Sequence, residues 1–387
     1  MKIKNMNQIK NILKSKKFYY LFFSILILLS LRNLFLPLQG DEITYNKIAQ
    51  NVLSGRYYQN ENPTSVIPII PFLMAFFSTA KWPIIGFALH KTFHILICIL
   101  GLRFAFLTFK KLNLDSAVIY TLMLSTCASS GFLSFLPSLY PEAIVFVAFW
   151  GFIYYLTSEK TIANFKRLFI LFILLVFTRY VYAILGLVLL IYYYSFYISN
   201  KKNFKTIVLY SIILSTPLLF WFKYVYNIES QNLSEISYFS RYKMEENPLW
   251  YNIKCGLGLE QHHQVNRING VPAFISLFIP ITGIRNFTIS LVLLFAVFFG
   301  LYKYRKNDII KQLSLIMGLS FLGFVLAGTG FSRYWLVLLP IIYLSFYYLF
   351  SSYIKKTDYF IYAFNLISLI LVLNEMRITL LLINKIA

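Results

Sequence analysis

The sequence predicts an all-α polytopic membrane protein that crosses the bilayer roughly ten or eleven times. Three observations predict it. The 387 residues are 59% hydrophobic and 13% charged, about half the charged share of an ordinary soluble domain. Apolar runs of spanning length recur along the whole chain. Lys and Arg gather in alternate connectors between those runs. The formal net charge of +22 would suggest nucleic acid in a soluble protein. Here its placement makes it a topology signal, so no nucleic-acid partner is expected.

The first element follows a basic segment, residues 1–17. The apolar run 18–38 is too long for a signal-peptide core, and no small-residue cleavage site follows it. It reads as an uncleaved first transmembrane helix. Further spans are expected at 83–109, 115–134, 142–157, 167–178, 180–198, 205–226, 286–302, 312–330, 334–354 and 359–380. Residues 167–198 read as two short helices meeting near Arg179, because a single span would break the charge alternation after it. The inner groups are then 2–17, Lys110 and Lys111, Lys160 to Arg167, Lys201 to Lys205, Lys303 to Lys311, and Lys355 with Lys356. This places the N-terminus in the cytoplasm, in a multi-pass protein of the cell (inner) membrane. The whole chain, 1–387, reads as a single integral membrane domain. Its three cysteines, Cys98, Cys127 and Cys255, give no disulfide framework and no zinc-type spacing.

Two long segments fall on the outer side, 39–82 and 227–285. They hold most of the acidic residues and the turn residues, so the working surface is expected there. Amphipathic helices on the membrane surface are expected in both. In the first, Tyr45, Ile48, Ala49, Val52 and Leu53 recur at helical spacing. Asp41 suits the N-cap and Gly55 the position just beyond the C-cap. A helix therefore begins with the pair Asp41-Glu42 directly after the first span. Capping and dipole complementation account for such a pair in structural terms. In functional terms, a carboxylate at a membrane boundary can accept a proton from an attacking hydroxyl or help hold a cation.

The run "GDEITYNKIAQNVLSGRYY…NPTSVIPIIPFLMAFF" resembles the opening of GT-C superfamily membrane glycosyltransferases, in the branch of protein O-mannosyltransferases and lipid A aminoarabinose transferases. The residues that carry the resemblance are Asp41, Glu42, Tyr45, Ala49, Leu53, Gly55, Tyr57, Pro63, Pro68 and Pro71. Further along, Leu136-Pro137-Ser138-Leu139-Tyr140-Pro141-Glu142 is similar to the family's second outer loop, which often carries an acid. Ser332-Arg333-Tyr334, with Leu339-Pro340, resembles its "RY…P" element. Some members place a Lys just before the paired prolines; this sequence has Ser65-Val66-Ile67-Pro68 there. The match is strongest over 1–160. The resemblance implies a polyprenyl-phosphate-linked sugar as donor, with transfer at the outer leaflet. It implies inversion at the anomeric carbon with Asp41 as base, and Glu42 assisting. A divalent metal serves some members and not others; Asp41 and Glu42 would hold it here. The acceptor would be a glycan, a lipid or a protein, and membrane lipids surround the whole.

Other polar residues at membrane depth add candidates. Arg179 and Arg333 are placed to clamp a lipid-linked phosphate in bidentate fashion, with Tyr334 beside them. The bland alternative is a helix-end Arg that snorkels to headgroups. Glu142 heads a helix and is either a cavity-lining acid or a dipole partner. His90 and His94 lie one turn apart with no evident third metal ligand, and read as buried hydrogen-bonded histidines. His262, His263 and Arg267 are candidates for acceptor binding in the second outer loop. Arg32 and Arg103 are ambiguous; Arg103 can snorkel from the inner end of its helix. Two other classes compete with a glycosyltransferase. An O-antigen polymerase or ligase also has long outer loops, but does not need an acidic pair after the first helix. A lipid or sugar transporter (flippase) predicts charges near the midplane and repeated halves, and neither is evident.

Overall fold

The computed structural model describes residues 11–58, 66–78, 82–231, 247–261, 268–279, 284–328, 332–354 and 356–386. The described residues form helices joined by turns and short links, without strands. The chain is an all-α polytopic membrane protein. The helices in chain order are α1 (Lys16–Leu31), α2 (Asp41–Leu53), α3 (Ile69–Phe77), α4 (Pro83–Lys110), α5 (Ser116–Ala128), α6 (Ser130–Phe135), α7 (Glu142–Leu156) and α8 (Ile162–Thr178). Then follow α9 (Gly186–Ser199), α10 (Phe204–Gln231), α11 (Pro248–Leu257), α12 (Phe287–Lys303), α13 (Asp308–Leu326), α14 (Ser332–Trp335), α15 (Leu339–Tyr353) and α16 (Thr357–Ile386). Short 3-10 turns join several of them.

Each apolar run expected to span contains a helix. Among the described residues, seven are long and apolar enough to cross a membrane, and 116–128, 142–156 and 287–303 are shorter apolar helices. The expected pair within 167–198 is present: α8 ends at Thr178, Arg179 is extended, and a 3-10 turn (Tyr180–Leu185) leads into α9. The expected single helix over 115–134 divides instead. Ser129 leaves the helical conformation between α5 and α6, and its hydroxyl donates to the Leu277 carbonyl at 3.3 Å. The span expected at 312–330 begins earlier and ends earlier. Asn307 caps α13 through its side chain, and Gly328, at φ +68°, follows the last turn.

The bundle closes on its own ends. Arg32 lies just beyond α1 and donates 2.6 Å to a Glu375 carboxylate oxygen on α16. It also reaches Thr379 Oγ1 at 2.8 Å, and Ser130 holds the other Glu375 oxygen at 2.5 Å. Lys14 pairs with Asp358, and Asn365 donates to the Leu13 carbonyl, so α16 is fastened to α1 at both ends. Inside this frame α7 is buried almost on every side. Gly101 permits its close approach to α4, since a Cβ there would lie 2.6 Å from the Phe146 ring. With 15 residues, α7 rises only about 22 Å, less than the ~30 Å thickness of bilayer hydrocarbon. Its first residue is Glu142.

Candidate active site

The sequence places a turn at Gly40 because the chain must leave the first span and start α2 at once. Gly40 adopts φ +54°, a left-handed conformation that other residues avoid. A Cβ there would meet the Tyr140 hydroxyl at 3.0 Å. Gly40 is the N-cap of α2, so Asp41 is the first helical residue rather than the cap expected from the sequence. No side chain caps α2, and Glu42 bonds outside the helix instead. One of its oxygens accepts from the Gln39 N–H at 2.8 Å. The other accepts from the Leu139 N–H at 2.7 Å, across 97 residues of chain. Glu42 is 3% exposed. It ties α2 to the connector before α7.

Asp41 is different. Its side chain is 49% exposed, and its Oδ2 accepts from Arg333 at 2.6 Å. The Arg333 Nε lies 3.6 Å from Glu142 Oε1, and the same oxygen accepts from Arg179 at 2.5 Å. The second Glu142 oxygen is buried and has no hydrogen-bond partner among the described residues. Four segments distant in sequence thus bring Asp41, Arg333, Glu142 and Arg179 into one alternating row of charges. Aromatic faces order the two cations. The Arg179 guanidinium lies 4.0 Å from the centre of the Tyr334 ring, and that of Arg333 4.9 Å from the Tyr140 ring. A cavity of about 10 Å³ lies among Glu142, Arg179, Tyr182, Arg333 and Tyr334, with Leu136 at its back. That is room for about one water.

Two phenols border the row from outside the spans. Burial pushes Tyr45, on α2, well above the usual phenol range. Burial, with Glu42 nearby, pushes Tyr140 up to about 12. Both stay neutral donors at physiological pH. The Tyr140 hydroxyl donates to the Gln39 carbonyl at 3.0 Å.

Of the residues expected at the site, Asp41, Glu42, Glu142, Arg179, Arg333 and Tyr334 come together, with Tyr45 buried beside them. His262, His263 and Arg267 lie outside the described residues. Sequence reasoning missed two supports, Lys91 and Tyr140. Lys91 is 2% exposed and donates to the Asn33 and Leu36 carbonyls at 2.8 and 2.7 Å, ending the turn after α1. His94 is the buried hydrogen-bonded histidine expected: it donates its Nδ1–H to the Ser138 carbonyl at 2.6 Å and holds the connector that bears Tyr140. Tyr140 itself appeared only as part of a loop pattern. The signal for Lys91 was an ionisable group on an apolar helix; its partners, like that of Tyr140, are backbone carbonyls, which no side-chain pattern reveals. His90 stacks on Phe77 at 5.0 Å, and neither of its ring nitrogens has a hydrogen-bond partner among the described residues, contrary to the expectation of a hydrogen-bonded histidine.

For a metal, the fit is narrow. Among the described residues no group of three or more His, Cys, Asp and Glu could enclose one. Glu42 has both oxygens on backbone N–H groups, which leaves Asp41 as the accessible carboxylate.

No protein-family model matches this sequence, and no curated protein matches it. Fold and site together define a polytopic α-helical membrane protein with a charged row at one end of its bundle. Among solved structures, the chain is similar to ArnT from Cupriavidus metallidurans, crystallised bound to undecaprenyl phosphate. The TM-score is 0.55 at 12% identity, over 86% of this chain and 59% of that one. The chain therefore shares its membrane fold with that structure, and it spans about three fifths of the length of ArnT.

Proposed function

We propose that this chain is a membrane glycosyltransferase that moves a sugar from a polyprenyl-phosphate donor to an acceptor hydroxyl, with inversion and with Asp41 as base. The observation that carries the reading is the alternating row Asp41–Arg333–Glu142–Arg179 at one end of the bundle. The binding of undecaprenyl phosphate by a protein of similar fold supports the donor class. The N-terminus lies in the cytoplasm and the row faces the outer side of the cell membrane, in keeping with the lysine-rich connectors at the opposite end.

The chemistry follows from the geometry. A donor phosphate brings negative charge to two guanidiniums already paired with carboxylates. Arg333 exchanges Asp41 for the phosphate, and Arg179 completes the clamp from its stack on Tyr334. The Asp41 oxygen released in this exchange accepts the proton of the acceptor hydroxyl. The hydroxyl oxygen attacks the anomeric carbon from the face opposite the phosphate. As the new glycosidic bond forms, the bond from carbon to phosphate oxygen breaks, and its electron pair leaves with the polyprenyl phosphate. The two arginines stabilise that charge. Glu142 keeps the arginines apart and aligned. Glu42 positions Asp41 through the backbone and takes no proton. A divalent cation, where one is used, would rest on Asp41 together with donor phosphate and water.

The test is sugar transfer from a polyprenyl-phosphate donor by purified protein. Asp41→Asn is expected to lower the rate by about 10²- to 10⁴-fold with insertion and unfolding temperature unchanged. Full activity in a folded Asp41→Asn protein would sink the assignment. A flippase reading has weaker support, because the charges gather at one end of the bundle and not at mid-depth.

A further inference from the structure

A second cavity, of about 510 Å³, lies between α1, α4 and α5. Its lining is apolar except for Tyr and Ser hydroxyls and a single charged residue, Arg103. Tyr20, Ile27 and Ile99 on its rim are exposed, so it opens sideways, towards lipid. Along α4 it runs from Ile95 to Phe106, about 16 Å, roughly the depth of one leaflet. Its shape is that of a slot for one hydrocarbon chain.

Arg103 sits near the end of the bundle where Lys16, Lys17 and Lys110 lie. It is exposed and has no hydrogen bond or ion pair among the described residues. No carboxylate lines the slot. A guanidinium that lines an apolar slot about 10 Å of helix from Lys110 can snorkel towards the headgroups, and it calls for a phosphate oxygen pair. With no acid to balance it, the site favours a lipid whose headgroup carries no compensating ammonium. Leu136 and Pro137 also line the slot, and Leu136 lines the cavity beside Glu142 and Arg333 as well.

We propose that this slot binds one chain of an anionic phospholipid from the leaflet at the lysine-rich end, with the phosphate on Arg103. The bound chain packs against Leu136 and so supports the rear wall of the charged row. The site is separate from the donor's, whose charge belongs at the other end of the bundle.

The test counts lipids retained by the full-length protein, by native mass spectrometry after detergent exchange from bilayers of phosphatidylcholine and phosphatidylglycerol. The wild type is expected to keep one phosphatidylglycerol. Arg103→Gln is expected to lower that retention about tenfold, with phosphatidylcholine unaffected, and Arg103→Lys to restore part of it. Ile99→Trp, an exposed change that fills the mouth, is expected to lower retention of both lipids. Equal phosphatidylglycerol retention by wild type and Arg103→Gln overturns the proposal. So does displacement of phosphatidylglycerol by added polyprenyl phosphate, which would make the slot part of the donor site. Retention is read without turnover, so failure of the transferase reading leaves this result standing.

Discussion

Asp41 and Glu42 are neighbours in sequence with separate tasks, and burial divides them. Glu42 spends both oxygens on backbone N–H groups, whereas Asp41 keeps one oxygen free of Arg333. Glu42→Ala is therefore expected to act through stability. It strands the Gln39 and Leu139 N–H groups, at about 1–3 kcal/mol each, and the loss is read as a lower unfolding temperature in detergent. Tyr140 gives a pH-dependent check. Its phenol is raised from 10.0 to about 12, so the folded protein holds that proton more tightly than the unfolded chain. The resulting stability is complete below about pH 10 and is lost as pH rises through about 12. Tyr140→Phe is expected to flatten the alkaline decline of unfolding temperature over that window. The pairing of Asp41 with Arg333 was legible only as a shared face, because 292 residues separate them and nothing local marks the contact.

Among the helices, the spans were readable because an apolar run of bilayer length has one physical meaning. Their ends were less so. The break at Ser129 depends on a carbonyl 148 residues away, and the start of α13 depends on the capping side chain of Asn307. Close helix contacts also escape a pattern of apolar residues. At Gly300 on α12, a Cβ would lie 2.3 Å from the Ser345 carbonyl oxygen on α15. That distance admits only hydrogen, so the two backbones touch as small-residue interfaces in membranes do. Gly300→Ala is expected to push the helices apart and cost about 1–3 kcal/mol, again measured by unfolding in detergent. The same change at Gly318, where the added carbon meets nothing within 4 Å, is the matched control.

At the scale of the whole molecule, α1 and α16 are joined by a buried ion pair whose side chains are 9% and 1% exposed. Arg32 was ambiguous in the sequence because its partner stands 343 residues on. Glu375→Ala leaves a buried, unpaired guanidinium and is expected to cost about 3–5 kcal/mol, while Arg32→Met with Glu375→Leu recovers most of that loss. Unfolding temperatures of the wild type, the single variant and the double variant check this. The pair also sets an order of events in the making of the protein. Glu375 is synthesised 343 residues after Arg32. At ordinary rates of translation the interval is on the order of tens of seconds. Throughout it the first helix carries a guanidinium without its carboxylate. A helix made long after α1 is therefore the one that lets α1 come to rest.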